Sequence, residues 1–212
     1  MNDIYNCKTG YSKTFEHILG SETLVKEYVV CERGRKKLSR GHLTANADLP
    51  YYPIRMTTFK YMNAAPQWAT VNSANWNYLE TRTRELVKSY TNGLLVYTGT
   101  HGVTTLPDET PIYRDLYLYY NSEYKIRVPE FYWRVVYDPE TKKGTAIVGI
   151  NNPYLESIVP LCPDVCSEIT WLITKNFKPG KQEFGYMYCC EVEELSKIVE
   201  EIPKLEVDGL LI

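Results

Sequence analysis

Apolar positions along the chain fall into two rhythms. Residues 28–31 are β-branched, aromatic and apolar, which predicts a strand. Residues 32–37 are charged and contain Gly34, which predicts a turn, and 38–43 predicts a second strand carrying His42. Over 73–90 the period lengthens. Trp76, Leu79, Leu86, Val87 and Tyr90 form a helical stripe, Asn72 stands where an N-cap belongs, and Asn92-Gly93 marks the stop. Beyond it, the apolar runs 94–97, 112–119, 130–137 and 145–150 predict strands, with a turn signal at Lys142-Lys143-Gly144. Residues 163–173 predict a short helix. Val192, Leu195, Ile198, Val199 and Ile202 predict an amphipathic closing helix. Strands in runs with helices between them imply an α+β fold with a mainly antiparallel sheet. With no repeat, low-complexity segment or linker, residues 1–212 are expected to form a single domain.

Composition changes this picture in three ways. Six cysteines (Cys7, Cys31, Cys162, Cys166, Cys189 and Cys190) are many for a reducing compartment, and their even number suggests disulfides. The expected pairs are Cys7 with Cys31, and Cys162 and Cys166 with Cys189 and Cys190. A zinc site is the weaker reading, because adjacent cysteines chelate one ion awkwardly. No leader is visible at Met1-Asn2-Asp3, and no stretch is apolar enough to span a membrane. The expectation is a secreted protein, without membrane attachment, whose leader is absent from this sequence. Oligomeric state is not legible.

Net charge is −2, which by itself argues against a nucleic-acid binder. The charge is uneven, however. Residues 191–208 carry seven acids and two lysines, which leaves +3 for the rest of the chain. Arg33, Arg35, Lys36, Lys37 and Arg40 cluster just before His42, either as a solvated turn or as phosphate contacts. Nineteen tyrosines suit a tyrosine-rich sheet, and exposed ones also suit stacking on bases.

The candidate chemistry lies between residues 40 and 84. His42 titrates near neutrality and is the candidate general base. Asn72 offers a neutral amide oxygen to a hard cation, Mg²⁺ first, with Mn²⁺ as a substitute. Glu80 lies about two helical turns beyond Asn72 on the same broad face, and Arg84 is its i,i+4 neighbour. Arg40, Arg84 and Arg33 are candidate phosphate contacts. Asn63 is a candidate for positioning phosphate or the hydrogen bonds of the site. His17 and His101 lack such a context and read as ordinary surface or loop residues. Trp76 and Leu79 read as core.

These residues fall into three blocks: Arg40-Gly41-His42, then Asn63-Ala64-Ala65-Pro66-Gln67, then Asn72-Ser73-Ala74-Asn75-Trp76-Asn77-Tyr78-Leu79-Glu80. In motif and in mutual distance they resemble the DNA/RNA non-specific endonucleases, the ββα-metal or His-Me-finger nucleases that include endonuclease G. The family pattern is Asp-Arg-Gly-His, Asn-x-x-Pro-Gln and Asn-x-x-x-Trp-x-x-Leu-Glu. Ser39 departs from it, standing where the family usually has Asp. Weaker similarity continues through Val96-Tyr97-Thr98-Gly99, 131–137 and 147–152, and is nearest to the secreted arthropod branch.

The resemblance implies a ββα-metal nuclease fold and an enzyme that hydrolyses DNA, RNA or both, duplexes included. His42 would activate water, a Mg²⁺ on Asn72 would neutralise phosphate charge, and Arg40, Arg84, Glu80 and Asn63 would assist. Strand alternation sets Ser39 on the face opposite Arg40 and His42, so Ser39 is expected to brace the hairpin by hydrogen bonding. Two rivals remain: a nuclease fold kept for binding with weak or no cutting, and a domain with no nucleic-acid role.

Overall fold

The computed structural model describes residues 3–32, 36–120 and 124–212. Its centre is a four-stranded antiparallel sheet built from β3 (Leu95–His101), β8 (Phe131–Asp138), β9 (Lys143–Ile150) and β10 (Met187–Cys190), in the order β10-β9-β8-β3. Every residue of β8 is buried, as is β9 after its first residue, because both faces of the sheet are covered. One face, through Tyr132, Val136, Ile147 and Met187, packs against Trp76, Leu79 and the N-terminal helices α1 (Ser12–Leu19) and α2 (Glu22–Tyr28). The other, through Trp133, Val135, Val148 and Tyr188, packs against Val192, Leu195, Val199 and Ile202. A run of consecutive apolar residues is the expected signature of such a doubly covered strand.

A strand–strand–helix unit lies on the first face. Strand β1 (Leu38–His42) pairs antiparallel with β2 (Ala64–Trp68), and Ser39 stands opposite Gln67. The short helix α3 (Tyr52–Thr57) lies in the β1–β2 connection, and α4 (Ala69–Val71) follows β2. A π-helical turn, Asn72–Trp76, then leads into α5 (Asn77–Val87). Two side chains stitch the unit to the central sheet. The Tyr132 hydroxyl donates to the Ala65 carbonyl at 2.8 Å. Asn151 accepts from the Trp68 N–H at 2.9 Å and donates to the Pro66 and Pro129 carbonyls. The remaining strands pair as hairpins, β4 (Thr105–Pro107) with β5 (Tyr113–Asp115) and β6 (Tyr117–Tyr120) with β7 (Tyr124–Arg127). The closing helix is α6 (Val192–Ser196).

Several expectations change. Residues 28–31 are not a strand. Tyr28 ends α2, whose N-terminus is capped by Ser21, and the edge of β1 is taken by β2 instead. β2 escapes sequence patterning because it is alanine-rich and carries Pro66, which is tolerated in a two-stranded ribbon where every strand is an edge. The predicted turn with Arg33, Gly34 and Arg35 lies outside the described residues. The 163–173 segment holds only one 3-10 turn, Cys166–Glu168, and the closing helix is shorter than its stripe. The 112–119 run divides into β5 and β6.

All six cysteines are paired: Cys7–Cys31, Cys162–Cys190 and Cys166–Cys189. No thiolate is left for zinc. The separations of 24, 28 and 23 residues make each bridge worth about 3 kcal/mol through the entropy of the unfolded chain. Thiol titration of denatured, unreduced protein is expected to find none free. Reduction is expected to lower the unfolding midpoint sharply, and six free thiols in the native protein would contradict the pairing. Among the described residues, no helix is long and apolar enough to cross a membrane.

Candidate active site

Gly41 shows why the local sequence is so constrained. A Cβ there would lie 2.3 Å from the Gln67 side chain and 2.6 Å from the Tyr132 hydroxyl, so only glycine lets β1 settle against β2 and the central sheet. This close approach fixes the next residue, His42, at the mouth of a cavity of about 470 Å³ lined by His42, Ala45, Asn46, Ala47, Asn72, Ser73, Asn77, Glu80 and Arg84. Four residues singled out in the sequence, His42, Asn72, Glu80 and Arg84, therefore meet around one space. Two segments bring them there, the end of β1 and the turn from Asn72 into α5.

His42 is half-buried, with its ring edge-on to Phe59 at 5.4 Å between centroids. Burial pushes its pKa below the ordinary value, favouring the neutral imidazole that can accept a proton. Asn72 is not an N-cap; it ends α4 and opens the π turn. Its backbone is helical, and its amide Nδ2 donates instead to Ser39 Oγ at 3.0 Å. Ser39 Oγ in turn donates to the Gln67 carbonyl at 2.9 Å. Ser39 does brace the hairpin, and it also reaches the cavity through Asn72, which strand alternation did not suggest. With Nδ2 engaged, Oδ1 is the atom that Asn72 could offer to a cation. The π turn that begins at Asn72 is kinked at Ala74, where the backbone leaves helical geometry. Such turns recur at functional sites because they re-aim a side chain on an otherwise regular helix.

Glu80 does not pair with Arg84. Its partner is Arg134 of β8, whose Nη2 stands 3.9 Å from Glu80 Oε1. Arg134 is fully buried, its guanidinium 5.7 Å from the Trp76 ring, and none of its three side-chain nitrogens forms a hydrogen bond. Burial pushes the Glu80 carboxyl up. Arg134 pulls it back, Asp48 raises it, and Arg84 and the Trp76 indole lower it; that indole N–H lies close without meeting hydrogen-bond geometry. Burial likewise lowers Arg134, against the opposing pull of Glu80. Among the described residues its one salt-bridge partner is the Glu80 carboxylate at the cavity wall, and a buried guanidinium so sparsely paired is costly to keep.

Arg84 is turned toward the loop after β1. It donates to Asp48 at 2.8 Å and to Thr81 Oγ1 at 3.0 Å. Arg40 and Asn63 do not line the cavity. Arg40 lies against the rings of Tyr5 and Tyr61, at 5.7 and 5.6 Å. Asn63 is a clamp: it accepts from the Thr44 N–H and donates to the Thr44 and Thr58 carbonyls, which ties together the two ends of the β1–β2 connection. Arg33 lies outside the described residues. His101 is not a plain surface residue, since it pairs with Glu201 at 3.0 Å and stacks on Phe131.

Sequence reading missed Asn46, Asp48, Asn77 and Arg134. The first two sit just past His42 in a single 3-10 turn, Asn46–Asp48. Asn77 lies within the third motif block without being distinguished there. Arg134 is 92 positions from His42 in an apolar strand, so its one available signal is that a charge interrupts a doubly buried run.

The donor set suits a hard divalent cation. It offers the Asn72 amide oxygen and the Glu80 carboxylate, with room for the several waters that Mg²⁺ keeps. Among the described residues, the one cluster of three or more His, Cys, Asp or Glu ligand atoms, at Asp164, Cys166 and Cys189, has both thiols in a disulfide.

The family model for DNA/RNA non-specific endonucleases matches residues 6–195. A salivary endonuclease of Lutzomyia longipalpis is 31% identical over 172 residues, 81% of this chain and 41% of the relative. The salivary protein Tsal2A of Glossina morsitans morsitans is 31% identical over 178 residues, 82% of this chain and 44% of the relative. The chain thus spans less than half the length of these curated relatives. The solved EndoG/EndoGI complex is similar at 22% identity, with a TM-score of 0.43, over 68% of this chain and 62% of that one. With a match running through nearly every element, from Asn6 to Leu195, the chain belongs to the DNA/RNA non-specific endonuclease family.

Proposed function

We propose that this chain hydrolyses phosphodiester bonds of DNA and RNA outside the cell, with His42 as general base. The family is one of metal-dependent nucleases. The observation that carries the reading is the convergence of His42, Asn72, Glu80 and Arg84 on one cavity. Three disulfides and salivary relatives support an extracellular site of action.

Asn72 Oδ1 and Glu80 would hold the cation, with Mg²⁺ the first choice and Mn²⁺ its substitute. When bound, the cation neutralises charge on the phosphate and its leaving oxygen. Neutral His42 takes a proton from the attacking water, and burial keeps it ready to do so. Arg84 is anchored by Asp48 at the cavity wall, where its remaining donors suit a phosphate oxygen. Arg40, exposed on the tyrosine-lined surface beside β1, suits the flanking backbone of the substrate. Burial raises the Glu80 carboxyl, and Arg134 opposes that shift and favours the carboxylate. Water as nucleophile needs no 2′-hydroxyl, so the chemistry is indifferent to the sugar.

Incubation with nucleic acid, with and without EDTA, tests the proposal. Cutting that EDTA stops supports it. A gel shift without cutting would favour a nuclease fold kept for binding, and neither cutting nor shift would end both readings.

Two expectations follow from the geometry. Activity requires neutral His42, and burial lowers its folded pKa, so protonation sets in only below the ordinary histidine value of about 6.5. At saturating Mg²⁺ the acid limb of kcat/KM is therefore expected below that pH, and a limb clearly above it would contradict the assignment. Ser39→Asp keeps an acceptor for Asn72 Nδ2 but loses the donor to Gln67. Its cleavage rate is expected to stay within about tenfold of the parent, or ~1.4 kcal/mol of barrier. A parent that only binds, and cuts strongly after Ser39→Asp, would favour the binding reading.

A further inference from the structure

Six of the fifteen large hydrophobic side chains exposed among the described residues lie between positions 51 and 62: Tyr51, Tyr52, Ile54, Met56, Phe59 and Met62. Met62 is 89% exposed and Tyr52 72%. Among the described residues no other segment concentrates exposed apolar side chains in this way. The segment is nevertheless held firmly. Asn46 accepts from Arg55 Nε and Nη2 at 3.1 and 2.8 Å and donates to the Arg55 carbonyl and Thr58 Oγ1. Asn63 clamps the Thr58 carbonyl, and Thr58 alone within 51–60 is buried. Its hydrogen bonds face inward and its rings face out. A held surface of this kind marks a binding site.

Position and charge identify the occupant. Phe59 packs edge-on against the His42 ring at 5.4 Å, so the apolar surface begins at the candidate base itself. Between residues 36 and 79 the chain carries five lysines and arginines and one acid, Asp48, against −2 for the whole, and Arg40 lies against the Tyr61 ring. Arg55 and Lys60 are the charges within the loop. Aromatic rings on a locally cationic surface beside a phosphodiester site suit a polyanion whose bases are open. Each base has a π-face, so stacking holds a strand without reading its sequence. In a duplex those faces are already covered by neighbouring bases.

We infer that the 51–62 loop is a stacking platform for unpaired bases flanking the phosphate cut at His42. It makes single-stranded or locally unpaired nucleic acid the preferred substrate class. This inference rests on the nuclease reading above and deepens it.

The test is binding in EDTA, where no cutting interferes. Fluorescence anisotropy compares the parent, Tyr51→Ser/Tyr52→Ser and Phe59→Ala on a short labelled thymidine strand, the same strand built from abasic residues, and a matched duplex. All three positions are exposed, so the variants are expected to fold. Each is expected to lose about tenfold or more in affinity for the base-bearing strand. Affinity for the abasic strand is expected to stay within about twofold, because it has no rings to lose. Equal loss on both strands, no loss on either, or an equal loss on the duplex would overturn the platform. So would self-association, or binding to anionic vesicles, that the substitutions abolish while single-strand affinity survives. Cleavage in Mg²⁺ is read separately. A parent that cuts nothing refutes the nuclease reading and leaves the binding comparison to decide the platform.

Discussion

His42→Ala is expected to lose at least about a hundredfold in cleavage rate, the usual contribution of a positioned general base. Affinity for an uncut strand should barely change. The imidazole acts on water as the phosphorus is attacked, so its removal raises the barrier without removing a ground-state contact. Folding should survive as well, because the ring stands at a cavity mouth and is not part of the buried core. The informative comparison is single-turnover cleavage beside anisotropy. Near-normal cutting would take His42 out of the mechanism, and lost affinity would turn it into a binding residue.

The second large effect is expected at Asn72. Asn72→Ala removes the amide oxygen assigned to the cation. The variant should be inactive, or should require far more Mg²⁺ to reach the same rate. The hydrogen bond from Asn72 Nδ2 to Ser39 Oγ permits a sharper version. If Ser39 works only by holding that amide, Ser39→Ala should raise the Mg²⁺ requirement in the parent and change nothing further in Asn72→Ala. Such non-additivity is the mark of two residues acting through one contact. Independent, additive losses would mean that Ser39 matters for β1–β2 packing alone.

Much of the site was legible because its residues are close in sequence and their spacing is fixed by one strand–strand–helix unit. His42 and Gly41 belong to a strand that accepts no Cβ at its penultimate residue, and Asn72 and Glu80 flank a single turn into α5. The pairing of β1 was less legible. A β-branched run at 28–31 looked like its partner, whereas the true partner is Ala64–Trp68, a short alanine–proline strand with no alternation. Local propensity could not find it, because its stability comes from the Tyr132 and Asn151 bonds of the distant central sheet. Arg134 was hidden for the same reason. It reaches Glu80 only after β8 has been placed under α5, and no spacing rule connects residues 80 and 134. The same holds for Arg84, whose ideal helical spacing to Glu80 is overridden by Asp48 in the segment after β1. Propensity sees neighbours on one element, whereas these ion pairs join different ones.

The central claim is that water activated by His42 attacks phosphorus, whatever the sugar. It is tested most directly by digesting matched DNA and RNA strands with Mg²⁺ in oxygen-18 water and analysing the new ends by mass spectrometry. The account predicts 5′-phosphate ends carrying one heavy oxygen and unlabelled 3′-hydroxyl ends, from DNA and RNA alike. Cutting confined to RNA, with 2′,3′-cyclic phosphate ends and no heavy oxygen in the initial products, would contradict it.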